Sequence, residues 1–247
     1  MALQSINIGS AANDGTGSTL RAAFDICNDN FSELYGGTTA ALGFKAEGTN
    51  FTGSLLVGHS TTGTIDNAYY NTALGIGALD ALTTADYNVA IGYNTGTAIT
   101  TGSSNILIGS NAGDALVGGA SNIAIGSQAL STEDGHGRNI GYQALKMLDA
   151  GTAGLNVAVG HQAGTAMTTG QQNTLVGGLA GDALTSGHYN VALGYGALST
   201  EDAHGRNVAV GYKALNVQDA GANAYNVAMG YKAGFAITSG TANTLIG

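Results

Sequence analysis

Asn88-Val89-Ala90-Ile91-Gly92 is a five-residue motif that recurs, with small changes, as far as the last residue of the chain. Successive motif glycines are separated by 17 positions in eight of the eleven steps, by 15 in one step and by 19 in two. A fixed short period is typical of repeat proteins, in which each coil packs on the next one. The motif glycines stand at positions 58, 75, 92, 109, 126, 141, 160, 177, 194, 211, 230 and 247.

The motif predicts a strand with two apolar faces, because side chains in a strand alternate in direction. Val89 and Ile91 point one way, and Asn88 and Ala90 point the other. We expect the column of Ile91 to fill the interior of the coil and the small Ala90 column to face further copies of the chain. A shortened motif at 139–141 lacks two residues, which keeps Ile140 in the Ile91 column. The predicted interior column is Ile91, Ile108, Ile125, Val159, Val176, Leu193, Val210 and Met229.

A second strand in each coil is predicted from the alternating segments 97–101, 165–169 and 235–239. Two strands and two turns within so short a repeat favour a flattened parallel β-roll, an all-β solenoid. The array covers residues 58–247, follows a Gly/Thr-rich connector at 38–57, and is expected to continue beyond the given sequence, because residue 247 lies inside a motif.

Residues 1–37 are predicted to form a separate N-terminal segment with a helix at about 18–35, which two glycines end. Its apolar residues follow the 4-3-4-3 spacing of a coiled-coil seam. Either this helix packs on its own chain or, as we favour, it forms a bundle with other copies. The seam residues are Leu20, Phe24, Cys27, Phe31 and Leu34.

Composition excludes several classes of function. Lys and Arg total seven in 247 residues and the net charge is −9, so the chain lacks the basic patch that nucleic-acid binding requires. No apolar run is long enough to cross a bilayer and there is no N-terminal signal sequence, so we expect synthesis in the cytosol and no membrane insertion. Cys27 is the one cysteine, which excludes a disulfide within the chain.

The repeated asparagines could bind a ligand, but stacked amides more often form hydrogen-bonded ladders. Tyrosines before and after the motif could stack on glycans or fill corners between rungs, and we favour packing. The sequence contains no catalytic or cofactor-binding motif, so we expect no enzyme activity and no cofactor. The predicted ladder is Asn88, Asn105, Asn122, Asn156, Asn173, Asn190, Asn207 and Asn226.

Two charge-dense loops, at residues 131–138 and 199–206, share Glu, Asp, His and Arg at equal spacing. A carboxylate and a histidine could bind a metal or transfer protons. We favour an ion-pair cluster at a solvated turn, with no metal. The residues are Glu133, Asp134, His136 and Arg138 in the first loop and Glu201, Asp202, His204 and Arg206 in the second.

The N-terminal segment resembles that of tail fibres and related structural proteins of tailed bacteriophages. The resemblance lies in residues 13–17 (Asn-Asp-Gly-Thr-Gly), 20–24 and 28–35, although Ser18 stands where an acidic residue is common. The motif repeats resemble the heads of trimeric autotransporter adhesins. Together these resemblances imply a left-handed homotrimeric roll in a virion tail, with the N-terminus on tail or baseplate proteins and a distal region on a host receptor.

Two other functions stay open at this point. The chain could be the head of a bacterial surface adhesin, although it lacks a signal sequence. It could also be a tailspike that degrades host polysaccharide, although such enzymes usually have longer coils and a carboxylate cleft, and Asp and Glu here total only 16.

Overall fold

The computed structural model describes residues 44–45, 53–58, 66–131, 137–149 and 154–247. In these residues thirteen short strands form one sheet in chain order. The predicted helix and its seam residues lie outside the described part, and no helix occurs within it. The strands are β1 (Phe44–Lys45), β2 (Leu55–Val57), β3 (Thr72–Leu74), β4 (Val89–Ile91), β5 (Ile106–Ile108), β6 (Ile123–Ile125), β7 (Gly137–Ile140), β8 (Asn156–Val159), β9 (Thr174–Val176), β10 (Val191–Leu193), β11 (Val208–Val210), β12 (Val227–Met229) and β13 (Thr244–Ile246).

The sheet is parallel from β2 to β13, and each strand pairs with the strand of the next motif. Ala90, for example, pairs with Ala73 on one side and with Leu107 on the other. The exception is β1, which lies in the predicted connector and pairs with β2 in the antiparallel direction. The chain is therefore an all-β parallel solenoid whose coils have the length that the repeat period predicted.

Each coil contains one strand in the described residues, so the prediction of a second strand was wrong. Residues 97–101, 165–169 and 235–239 form turns and bends. Asn94 and Gly96 adopt φ angles of +49° and +61°, and left-handed residues of this kind prevent an extended strand. Successive coils are still joined here, because the Ala81 N–H donates to the Thr97 carbonyl at 3.1 Å.

The interior column of the strands is the Ala90 column and not the Ile91 column that we predicted. Ala90 and Leu107 are fully buried, whereas Ile91 lies on the outer face of the sheet. The space inside is already occupied from the turn side, where Ile99 and Leu116 are fully buried. A small residue on the strand therefore fits inside, and the branched aliphatic residues point outward. The buried column is Leu56, Ala73, Ala90, Leu107, Ala124, Ala158, Leu175, Ala192, Ala209 and Ala228.

Leucine in this column is accommodated by glycine on the opposite side of the coil. A Cβ added to Gly96 would lie 2.8 Å from Leu107 Cδ1, and one added to Gly113 would lie 3.0 Å from Leu107 Cδ2. The same relation joins Leu175 to Gly164 and Gly181. Because interiors are close-packed, each large residue needs small neighbours. Coils such as these, with leucine in this column, therefore carry glycine where their own turn, or the turn of the preceding coil, meets it.

The motif glycine ends each strand at a close approach between backbones. Gly194 has a φ of +138°, and a Cβ there would lie 2.3 Å from the carbonyl oxygen of Gly211 in the next coil. Any other residue would meet both a steric clash and an unfavourable backbone conformation. Glycine therefore recurs at every motif because the rungs stack directly on one another.

Candidate functional site

The outer face of the sheet, formed by the second and fourth motif positions of β2–β13, is a continuous apolar surface. It has two outward side chains per strand, and 20 of the 24 are Val, Ile, Leu or Met. The others are three threonines and Arg138. Parallel sheets are normally covered on both faces, so this surface is unusual for an isolated chain. We call it the outer sheet face.

Large side chains on the outer sheet face are accessible to solvent. Met229 is 48% exposed and Leu193 is 45% exposed. Soluble monomers rarely expose a contiguous apolar patch larger than a few hundred Å². The sequence showed that both strand faces are apolar, but it led us to assign this one to the interior. The large exposed members are Leu55, Leu74, Ile91, Ile106, Ile140, Leu193, Met229 and Ile246.

Exposed tyrosines follow the motif glycine, beside the outer sheet face, and they stack on each other across coils. Tyr195 lies 5.7 Å from Tyr212, and Tyr212 lies 5.3 Å from Tyr231, with interplanar angles of 12° and 8°. Tyr142 stacks in the same way on His161. A ring covered on its faces by neighbouring rings cannot stack on a sugar. The contacts therefore agree with the packing role that we favoured over glycan binding.

A second aromatic column precedes the motif asparagine. Tyr70 and Tyr87 stack with their centroids 5.0 Å apart. Further along the array, the guanidinium of Arg206 lies between the rings of Tyr189 and Tyr225, at 5.3 and 5.6 Å from their centroids. These are distances at which a cation is attracted to the ring face. Arg206 therefore continues the aromatic column instead of joining an ion-pair cluster.

The motif asparagines form a buried ladder along the inside of the sheet edge. Asn88 Oδ1 accepts from the N–H of Asn105 at 3.0 Å and from its Nδ2 at 2.9 Å. Asn88 Nδ2 in turn donates to the carbonyl of Gly102 at 2.9 Å. Amides such as that of Asn88 thus tie the start of a strand to the turn that closes the same coil. Asn207 departs from this pattern, because its buried Nδ2 has no partner in the described residues. The buried amides are therefore used within the fold and are not open to a ligand.

The ladder is interrupted at the shortened motif. Gly137, not Asn139, pairs with Asn156, and the Gly137 N–H donates to Asn122 Oδ1 at 2.8 Å. Asn139 instead pairs with Ala158 in the interior column. Both polar atoms of its fully buried amide lack a hydrogen-bond partner in the described part of the chain. Ile140 keeps its place beside Val159, as the two-residue deletion predicted, but on the outer face.

The second charged loop is solvated only in part, because Glu201 is fully buried whereas Asp202 and Arg206 are exposed. It follows Leu184 in a column of interior turn residues and is followed by Gln218. Burial raises the pKa of the Glu201 carboxyl, and hydrogen bonds and charge from His204 offset part of that effect. The sequence contains a signal for this burial. Glu201 follows Gly194 by the same number of residues as Leu184 follows Gly177, so an alignment of the coils on their motif glycines places Glu201 in the interior column. In the first loop, residues 132–136 lie outside the described residues.

Glu201, Asp202, His204 and Asp219 form a group whose side chains offer metal-ligand atoms in one place. Of the two charged loops, only the second lies wholly within the described residues. Within the described residues no helix has the length and apolar character needed to cross a bilayer.

Comparison of the sequence with protein-family models and with curated proteins, and of the fold with solved structures, found no significant match.

Proposed function

We propose that this chain is a structural protein of a tailed-phage virion, a homotrimeric tail fibre that supports adsorption to the host. In this proposal residues 1–37 attach the fibre to tail or baseplate proteins, partly through the predicted helix. The solenoid forms a left-handed shaft, and a distal region contacts the host receptor. The handedness, the number three and the place in the virion rest on the sequence resemblances. The observation that carries self-association is the outer sheet face.

The size of the outer sheet face suits an interface between copies of the chain. Eleven steps of ~4.8 Å make the face about 53 Å long, and two outward side chains per strand make it about 10 Å wide. Roughly 500 Å² of apolar surface at ~25 cal/mol per Å² corresponds to a gross gain of about 12 kcal/mol for each chain. That is of the same order as the cost of association. The N-terminal helices would then add the remaining stabilisation.

The direction of the outer sheet face favours a closed assembly. The strands stack along one axis, so the apolar face runs parallel to the length of the solenoid. Copies packed side by side around a common axis would cover these faces together, and a ring of this kind cannot extend into an open polymer. A closed ring of parallel rods gives an elongated, mechanically continuous shaft, which is what a fibre requires.

The oligomeric state tests the proposal directly. We expect the full chain to sediment as a trimer at micromolar concentration. Val176→Glu places a charge in the middle of the outer sheet face and should dissociate the trimer, because each buried unpaired charge costs several kcal/mol. Thr169→Glu makes a matched change in an exposed turn of the same coil and should leave the trimer intact. A wild-type monomer would refute the assembly.

The place in the virion needs a separate measurement. Phage particles should be induced from the bacterium that carries the gene, purified and analysed by mass spectrometry. We expect peptides of this chain in the particles, and labelled antibody on the tail. Peptides found in the bacterial outer membrane and not in particles would favour the adhesin function instead.

A further inference from the structure

A buried carboxylate lies inside the solenoid at a position that most other coils fill with an apolar side chain. Glu201 is fully buried, and Leu184 and Leu116 occupy the same column in earlier coils. Among the described residues no Lys or Arg side chain pairs with Glu201, and the basic side chain beside it is the imidazole of His204. A buried carboxylate at a leucine position is costly unless something compensates its charge.

Three further ligand-bearing side chains meet Glu201 at the edge of two coils. Glu201 Oε1 lies 3.2 Å from His204 Nδ1. The ligand atoms of Glu201, Asp202, His204 and Asp219 all lie within 4.8 Å of one another. Asp202 and Asp219 are exposed and His204 is partly exposed, so the group is open to solvent on one side and closed by the core on the other. An ion could therefore enter from water and reach the buried carboxylate.

Gln218 gives an independent indication that a ligand belongs here. Its side chain is fully buried, and its amide reaches the cluster, with Nε2 3.3 Å from Glu201 Oε2. Its Oε1 has no hydrogen-bond partner in the described part of the chain. Buried amide oxygens are nearly always paired, and an unpaired one beside a carboxylate is what a cation would satisfy. In the preceding coils the corresponding position is apolar or Glu, at 133 and 201, so Gln218 is the one amide in this column.

We propose that Glu201, Asp202, His204 and Asp219 bind a divalent transition-metal ion of the Zn²⁺ type, with the buried Gln218 amide in contact with Glu201. Two ligands of a tetrahedral Zn²⁺ with bonds of about 2.0–2.1 Å lie about 3.3 Å apart, which the Glu201–His204 distance matches. An imidazole nitrogen favours Zn²⁺ over Ca²⁺, which takes oxygen ligands. Our preference from the sequence for a metal-free ion-pair cluster is thereby revised.

The ion would join two successive coils. Glu201, Asp202 and His204 lie in the coil between the glycines at 194 and 211, and Asp219 lies in the next coil. That next coil is one of the two long ones in the array, and its extra length follows Asp219 directly. Binding would therefore neutralise a buried charge and fix one coil to an enlarged neighbour. This inference does not depend on the function proposed above.

The test uses the full chain after removal of metals with EDTA, titrated with Zn²⁺ alone by calorimetry. Glu201→Leu restores the residue type found in the column at Leu184, so the variant should fold and lose one tight Zn²⁺ site per chain. His204→Ala should weaken the same site at least 100-fold. Asp114→Asn removes a carboxylate elsewhere in the array and should bind as the wild type does.

Thermal unfolding separates a metal site from a polar contact. Zn²⁺ should raise the unfolding temperature of the wild type and of Asp114→Asn by more than that of Glu201→Leu. The sequence repeats Glu, Asp and His at 133, 134 and 136, so the first charged loop could bind Zn²⁺ as well. The readout is therefore the number of tight Zn²⁺ sites per chain in each variant. An equal count in the wild type and in Glu201→Leu would overturn the proposal. Tighter binding of Ca²⁺ than of Zn²⁺ would overturn the assignment of histidine as a ligand.

Discussion

Moving one amide by two positions should stabilise the solenoid. At the shortened motif Gly137 occupies the ladder position, whereas Asn139 occupies the interior column between Ala124 and Ala158. The double variant Gly137→Asn with Asn139→Ala gives both columns the residue types that they have in other coils. Gly137 does not have a positive φ, so asparagine is compatible with its backbone. A Cβ at this position would contact Asn139 Oδ1 at 2.8 Å, and the second substitution removes that atom.

The gain has two sources. A buried amide without partners costs about 1–3 kcal/mol, and this cost disappears with Asn139. An amide at position 137 would accept from the N–H of Asn156 and donate to Asn122 Oδ1, as the other ladder residues do, at ~1 kcal/mol for each hydrogen bond. We expect a net stabilisation of roughly 3 kcal/mol from the two sources together. For a chain of this size that corresponds to a rise in unfolding temperature of about 6–12 °C.

The measurement is thermal unfolding by circular dichroism at fixed protein concentration. Asn173→Ala is the matched control, because it makes the same Asn-to-Ala change within the ladder. It leaves the N–H of Asn190 and the carbonyl of Gly187 without the partners they have in the wild type, and it should destabilise by about 2–5 kcal/mol. Replacement of Asn by Ala should therefore raise the free energy of unfolding in the double variant at 137 and 139 and lower it at Asn173. A double variant that is less stable than the wild type would refute the register assigned to β7.

Two further predictions concern the backbone and the pH dependence of stability. Gly194→Ala should lower the free energy of unfolding by about 3 kcal/mol or more, measured by thermal unfolding, because the added Cβ would clash with Gly211. Gly221→Ala should lower it by about 1 kcal/mol, because Gly221 has a φ of +65° but no atom within 4 Å of an added Cβ. Equal losses of stability in the two variants would contradict the rung-to-rung contact. Burial raises the pKa of Asp182 above its ordinary 3.8, so the stability that its protonated form contributes is present below pH 3.8 and is lost as the pH rises through the folded-state pKa. In the wild type the unfolding temperature should therefore fall as the pH rises through this range, and Asp182→Asn should remove that fall. A variant with the same pH profile as the wild type would contradict the role assigned to Asp182.

The repeat period was sufficient to predict a parallel solenoid and its ladder of stacked amides, but not which strand face lies inside. Alternation along Val89-Ala90-Ile91 shows that two faces exist, and both are apolar here, so the pattern cannot choose between them. The choice depends on volume. The interior is shared with Ile99 from the turn side, so it admits Ala90 and not Ile91. Comparison of the strand column with the glycines that follow each motif, such as Gly96, would have revealed this.

At the shortened and the charged coils the local sequence is misleading when each segment is considered alone. Asn139 looks like a ladder residue because it precedes Ile140 and a glycine, yet the register counts back from Ile140 and places it in the interior column. Glu201 looks like a loop residue because its neighbours are polar. Its burial follows from its distance to the motif glycine. In a solenoid, position within the coil outweighs local composition.

The solenoid buries a row of polar amides beside its apolar core and exposes aliphatic side chains on the outer sheet face. The two faces of the sheet therefore differ in what they need from a second chain. The interior ladder needs no second chain, because asparagines such as Asn88 are paired within their own coil and with the adjacent coil. Asn207 is the exception, since its Nδ2 has no partner in the described residues. A single chain can therefore hold its rungs in register before it meets another copy. The outer sheet face has no such pairing and consists mostly of Val, Ile and Leu, whose contacts are non-directional. Rung spacing is thus set within the chain, and in the proposed fibre association would select only how the rods lie against one another. Copies with equal rung spacing can pack along their whole length, and a stiff rod follows from this division between the two faces.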